Sequence, residues 1–125
     1  MLWAKEKLSN KESINVVKDQ WRMPTFVDDL AEACILAIEK RVTGIFHISG
    51  EEMFTIAEAV YQIADFWKLD KSLISEVTAA EINQSENRPQ KTGFILSKAK
   101  SILGYEPTLF KLSLEIIDQQ YGIFR

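Results

Sequence analysis

Apolar positions in this chain follow two rhythms, and the helical one is clearest between Asp19 and Glu39, DQWRMPTFVDDLAEACILAIE. Val27, Leu30, Ala31, Cys34, Ile35 and Ile38 recur at i, i+3, i+4 and i+7, with Glu32, Glu39 and Lys40 opposite. This predicts an amphipathic helix whose stripe faces a core. Pro24 fixes the approach, Thr25 is the expected N-cap with Asp28 completing a capping box, and Asp28 and Asp29 suit the positive end of the helix dipole. Trp21 and Arg22 stand just before the helix, where a turn presents side chains to a cleft. A second stripe, Ile56, Ala59, Val60, Ile63, Ala64 and Trp67, follows a capping box of Thr55 and Glu58.

The strand rhythm is shorter. SINVV (13–17) and SLISEV (72–77) read as strands of β-branched residues. IFHIS (45–49) is apolar on both faces apart from His47, which suits a strand covered by helices on each side. Residues 1–9 read as the tail of a helix with Leu2, Trp3 and Leu8 as its apolar residues. Thr78 and Glu81 form a third box, opening a short helix that fades in the polar run 83–87. Thr92–Leu96 is a brief extended piece. Ser97 caps a short helix that Gly104 ends, and Pro107 and Thr108 start the last one, with Leu109, Leu112, Ile116 and Ile117 inward. The alternation makes the chain α/β. It shows no repeat and no linker, so residues 1–125 are expected to be a single α/β unit.

Composition narrows the function classes. Of 125 residues 46% are hydrophobic and 26% charged, the profile of a soluble folded domain. No apolar run approaches the ~20 residues of a membrane span. The net charge of −3, with scattered basic residues, makes no electrostatic case for nucleic acid. Cys34, the only cysteine, excludes an intramolecular disulfide and a thiolate metal site, and on the helix stripe it is expected to be a buried structural thiol. His47, without ligand-spaced neighbours, is expected to be a hydrogen-bonded structural histidine. The expected compartment is the cytoplasm.

Recognisable catalytic chemistry is missing. Gly44, Gly50, Gly93, Gly104 and Gly122 never approach G-x-G-x-x-G or a Walker loop. No serine sits in a nucleophile elbow. Tyr61, Tyr105 and Tyr121 are followed four residues on by Asp65, Leu109 and Arg125, so none has a lysine one helical turn away. The acidic pairs Asp28-Asp29 and Glu51-Glu52 are adjacent and point apart, which suits capping and solvation better than acid–base work.

DQWRMPTFVDDLAEA, GIFHISG and RPQKTGFILSKAKSILGYEPT, in that order, resemble the C-terminal half of the extended short-chain dehydrogenases/reductases. The dTDP-4-dehydrorhamnose reductase type is the nearest, and the regulatory beta subunit of methionine adenosyltransferase looks similar around QWRMPT. The resemblance runs from about residue 2 to residue 118. It implies the last βα portion of a Rossmann-like NAD(P)-binding fold plus the small α/β substrate-binding domain. The glycine-rich turn and the Tyr/Lys pair belong to a missing N-terminal Rossmann half, so the chain is expected to be a fragment or a truncated gene product. The intact parent would use NAD(P) on a nucleotide-sugar substrate, whereas no cofactor is expected to bind this chain alone. By the same resemblance Arg22 and Arg88 fall at phosphate-binding positions, although family members continue the second motif Gly-Asp where this chain has Gln90-Lys91. Trp21 or Gln20 is expected to line the same cleft, with a tryptophan packed under the turn as the equal alternative. Another epimerase or dehydratase of the family, or a non-catalytic regulatory subunit, remains open. An uncovered apolar face is expected to lead to self-association.

Overall fold

A computed structural model describes residues 2–82 and 88–122. The backbone groups into two compact units, each assembled from two chain segments: residues 1–22 with 54–92, and 23–53 with 93–125.

In the first unit, helix α1 (Leu2–Ser9) leads to strand β1 (Ile14–Val17), and β2 (Trp21–Arg22) follows. Strand β3 (Phe54–Thr55), helix α3 (Ile56–Phe66) and strand β4 (Ile74–Val77) complete it. β1 and β4 pair in parallel, Ile14 opposite Ile74 and Val17 opposite Val77, the pairing a helical crossover permits. Ala4, Leu8, Ile14, Val16, Ala57, Val60, Ala64 and Ile74 make the core. The cap of α3 forms as its sequence predicts: Glu58 N–H donates to Thr55 Oγ1 (3.0 Å) and Thr55 N–H to Glu58 Oε2 (2.7 Å). Its stripe is buried at Ala59, Val60, Ile63 and Ala64, with Ala57 added, while Ile56 and Trp67 are half-buried. α1 turns Ala4 and Leu8 inward and leaves Leu2 and Trp3 outside. The buried Lys5 places its ammonium 4.1 Å over the Trp67 ring. Thr78 and Glu81 bond reciprocally, but they close only a turn as far as Ile82, and the run 83–87 lies outside the described residues.

In the second unit, helix α2 (Val27–Glu39) and helix α4 (Phe110–Tyr121) accompany a π-helical turn at Ala99–Leu103, which Gly104 ends at φ 70° in the left-handed region. Ala33, Leu96, Ala99, Leu103 and Tyr105 form the core, with Met23, Leu36, Ala37, Val42, Phe46 and Ile48 against it. Here several expectations are corrected. The side of α2 that packs is Asp29, Ala33, Leu36 and Ala37; the predicted stripe lies outside, Val27 63% and Ile38 76% exposed, with Leu30, Ala31, Cys34 and Ile35. Cys34 is therefore an exposed thiol. Thr25 does not cap α2, whose N-cap is Phe26; its hydroxyl instead accepts from Gly50 N–H (3.3 Å). Gly50 is required there, since a Cβ would stand 2.0 Å from the Pro24 carbonyl oxygen.

Residues 45–49 form no ladder among the described residues, for a strand needs a neighbour. His47 is exposed and stacks on Phe94, centroids 4.7 Å apart. Ser97 lies within its helical turn rather than before it. α4 starts two residues later than Thr108, because that threonine is used elsewhere: its N–H and hydroxyl donate to Asp29 (2.8 and 2.6 Å). Phe110 N–H donates to Glu52 Oε2 at 2.5 Å. Phe110, Ser113 and Leu114 are buried, whereas Leu109 and Leu112 face out.

Candidate functional site

The site lies in the first unit and is organised by the two residues of β2. Trp21 pairs antiparallel with Thr55 on one side and bridges in parallel to Lys91 on the other. Trp21 N–H donates to the Gln90 carbonyl (2.8 Å), Thr92 N–H to the Trp21 carbonyl (3.2 Å), and Ile56 N–H to the Gln20 carbonyl (3.2 Å). This ladder brings the Arg88-Pro89-Gln90 loop beside Gln20, although 68 residues separate them in sequence.

A cleft of about 230 Å³ opens there, lined by Asp19, Gln20, Ala79, Arg88 and Gln90. Asp19 Oδ1 accepts the Ala79 N–H at 2.8 Å, which ties the end of β4 to the cleft wall. Gln20 is 3% exposed, and its Nε2 has no hydrogen-bond partner among the described residues. Arg88 is exposed. Arg22 is half-buried and turned inward: Nη1 donates to the Trp21 carbonyl (2.6 Å) and more weakly to the Gln90 carbonyl (3.4 Å), and Nη2 donates to Gln20 Oε1 (3.1 Å).

Of the four residues singled out from the sequence, Gln20 and Arg88 line the cleft together. Trp21 and Arg22 stand beside it in β2, Trp21 half-buried between its two backbone neighbours. Asp19, Ala79 and Gln90 were not foreseen. Asp19 and Gln90 each adjoin a residue that was, whereas Ala79 contributes through its backbone and carries no side-chain signal.

Among the described residues no three His, Cys, Asp or Glu side chains gather as a metal site, and no helix is long and apolar enough to cross a membrane. A more open cavity of about 430 Å³ in the second unit is lined by Glu51, Lys100, Gly104, Tyr105, Glu106 and Pro107. Its lysine is paired to Glu51, and Tyr105 donates to the Ser49 carbonyl (3.0 Å). Burial, then the charges of Asp29 and Glu32, push the Tyr105 phenol up to about 12, so the hydroxyl keeps its proton at neutral pH. The glycines have local uses. Gly50 serves the Pro24 contact, Gly93 packs against Met23 and Met53, and Gly104 ends a helical turn; none opens a helix as a phosphate cradle.

The family model described as the RmlD substrate binding domain matches residues 3–122. Methionine adenosyltransferase 2 subunit beta of Xenopus tropicalis is 31% identical over 119 residues, 91% of this chain and 35% of that protein. The dTDP-4-dehydrorhamnose reductase of Aggregatibacter actinomycetemcomitans is 27% identical over 119 residues, 86% of this chain and 40% of its own length. Among solved structures, a dTDP-4-dehydrorhamnose reductase ortholog from Clostridium acetobutylicum superposes with a TM-score of 0.86 at 19% identity, covering 98% of this chain and 43% of that one. The chain thus spans 35–43% of the length of these proteins. The structural likeness is one of fold, that of the Rossmann-fold extended short-chain dehydrogenases/reductases.

Proposed function

Since the chain belongs to the RmlD substrate binding domain family, we propose that it is the nucleotide-sugar-binding part of an NAD(P)-dependent sugar-nucleotide reductase of the dTDP-4-dehydrorhamnose reductase type, working in the cytoplasm. In this reading the cofactor and the proton donor come from an N-terminal Rossmann half, and hydride passes there to a keto sugar. This chain supplies the cleft at Asp19, Gln20, Ala79, Arg88 and Gln90, with Trp21 and Arg22 behind it.

The observation that carries the reading is the meeting of Gln20 and Arg88 in one cleft. A buried amide donor beside an exposed guanidinium suits a ligand that is polar at one end and anionic at the other. Guanidinium groups hold diphosphates through short charge-assisted bonds from fixed directions. The test is NMR titration of the chain with dTDP-glucose. Backbone shifts should move at 19–22, 79 and 88–90, and Arg88→Gln should weaken binding by ~1–3 kcal/mol, the scale of lost hydrogen bonds to a charged group. Unmoved resonances there at millimolar ligand would sink the proposal.

The 31% identity to methionine adenosyltransferase 2 subunit beta favours a second reading, a non-catalytic subunit that keeps the fold. Co-elution of the chain with a methionine adenosyltransferase catalytic subunit, without response to the nucleotide sugar, would select it.

A further inference from the structure

The Gln20 amide donor, unpartnered among the described residues, gives the cleft a chemistry that the arginines alone do not. The orientation of its amide follows from its neighbour. Arg22 Nη2 lies 3.1 Å from Oε1, and a guanidinium only donates, so the atom facing it must be the oxygen. The unpartnered atom is therefore the NH₂, and Gln20 borders the cleft. Arg22 meanwhile directs hydrogen bonds to oxygens of its own unit, on Trp21, Gln90 and Gln20.

We infer that Gln20 reads the ligand in this cleft, presenting its amide N–H to a carbonyl or hydroxyl acceptor on a neutral ring, and that Arg22 is a positioning residue that holds the amide in that orientation. The inference rests on the reading of the chain as a nucleotide-sugar binder and assigns which part of such a ligand lies where. Asp19 shares the wall with Gln20, and a carboxylate repels a phosphate but accepts from a ring O–H or N–H. At about 230 Å³ the cleft has room for a substituted ring. The diphosphate is left to Arg88, which is exposed at the same cleft. A pyrimidine base and a sugar ring both carry an acceptor beside a donor, and either satisfies the pair Gln20 and Asp19.

The test uses the 125-residue chain and four probes: thymidine diphosphate, thymidine, L-rhamnose and inorganic pyrophosphate. Gln20→Glu is the informative variant, because it keeps an acceptor for Arg22 and replaces the unpartnered donor with a charged acceptor. It should melt no lower than the unchanged chain, bind thymidine diphosphate at least tenfold more weakly, and bind pyrophosphate within twofold of the unchanged chain. Gln20→Leu should show the same loss, guarding against an effect of the added charge. Arg22→Lys should weaken thymidine diphosphate when Gln20 is present and add nothing in the Gln20→Glu background. Saturation-transfer NMR with thymidine and rhamnose identifies the ring, as the one whose signal Gln20→Glu abolishes.

Binding of thymidine diphosphate unchanged in both Gln20 variants would overturn the inference alone and leave the nucleotide-sugar reading standing. An additive loss from Arg22→Lys would do the same, since Arg22 would then touch the ligand itself. A chain that binds none of the four probes overturns both.

Discussion

Asp29 shows how one residue can carry a role that its neighbours in sequence conceal. It sits in the first turn of α2, where a carboxylate usually needs no further explanation, yet it is buried and receives two hydrogen bonds from Thr108. Asp29→Ala should cost ~2–3 kcal/mol in a urea melt, because both Thr108 donors lose a charged acceptor. Thr108→Val should cost less, since the backbone bond survives. Tyr105 gives a pH test. Its folded pKa is raised to about 12 from an ordinary value near 10, by burial first. The unfolded chain thus releases this proton before the folded one does. The contribution is fully present below pH ~10 and is lost as pH climbs towards ~12. Tyr105→Phe should remove that slope while lowering stability at neutral pH by about 1 kcal/mol, the bond to the Ser49 carbonyl.

At the scale of elements, what could be read from sequence divides according to what each element needs. α3 was legible in full because its cap and stripe are local: Thr55, Glu58 and a spacing of three and four. β1 was legible because a run of β-branched residues has few other uses, and β4 as a short strand after the turn that follows α3. The helical nature of α2 was equally plain, but not its facing. It carries apolar residues on two sides, Ala33, Leu36 and Ala37 as well as the Val27–Ile38 stripe, and periodicity cannot rank two apolar faces. Residues 45–49 have the composition of a strand but no partner among the described residues, and pairing is a property of two segments. At the site, the resemblance singled out Arg22 and Arg88, and Gln20 only as a neighbour of Arg22, whereas the inward turn of Arg22 depends on the Gln90 loop that the fold brings to it. The facing of α2 has direct tests. Ile38→Lys should change stability by no more than ~0.5 kcal/mol, whereas Ala33→Leu should cost ~1–3 kcal/mol by overpacking. Cys34 should react with a thiol reagent in the native state as fast as in denaturant. A slow native reaction would mean that the stripe is covered.

For the molecule as a whole, the polar cleft at Gln20 and Arg88 belongs to the first unit. Gly50 and Gly93 serve tight packing and Gly104 and Gly122 end helical segments, and among the described residues the strongly shifted tyrosine, Tyr105, is tied to a backbone carbonyl. Meanwhile the second unit leaves Val27, Leu30, Ile35 and Ile38 uncovered, together with Ile45 at 79% exposure. Apolar surface of this kind tends to find a partner, so light scattering should show the chain self-associating at high concentration, less so in Ile38→Lys. A clean monomer at every concentration would count against it. Nicotinamide cofactors provide the complementary experiment. Tight binding of a dinucleotide needs backbone N–H groups and a helix N-terminus around its pyrophosphate, approached through glycines. No glycine here precedes a helix in that way. Calorimetric titration with NADH and NADPH should therefore give dissociation constants weaker than ~10 µM, a binding energy smaller in magnitude than about 7 kcal/mol, and no oxidation of either cofactor by a keto sugar. The same samples should still bind thymidine diphosphate at the Gln20–Arg88 cleft. Tight cofactor binding would place a pyrophosphate site in this chain and undo the division of labour proposed between its cleft and a separate nucleotide-binding half.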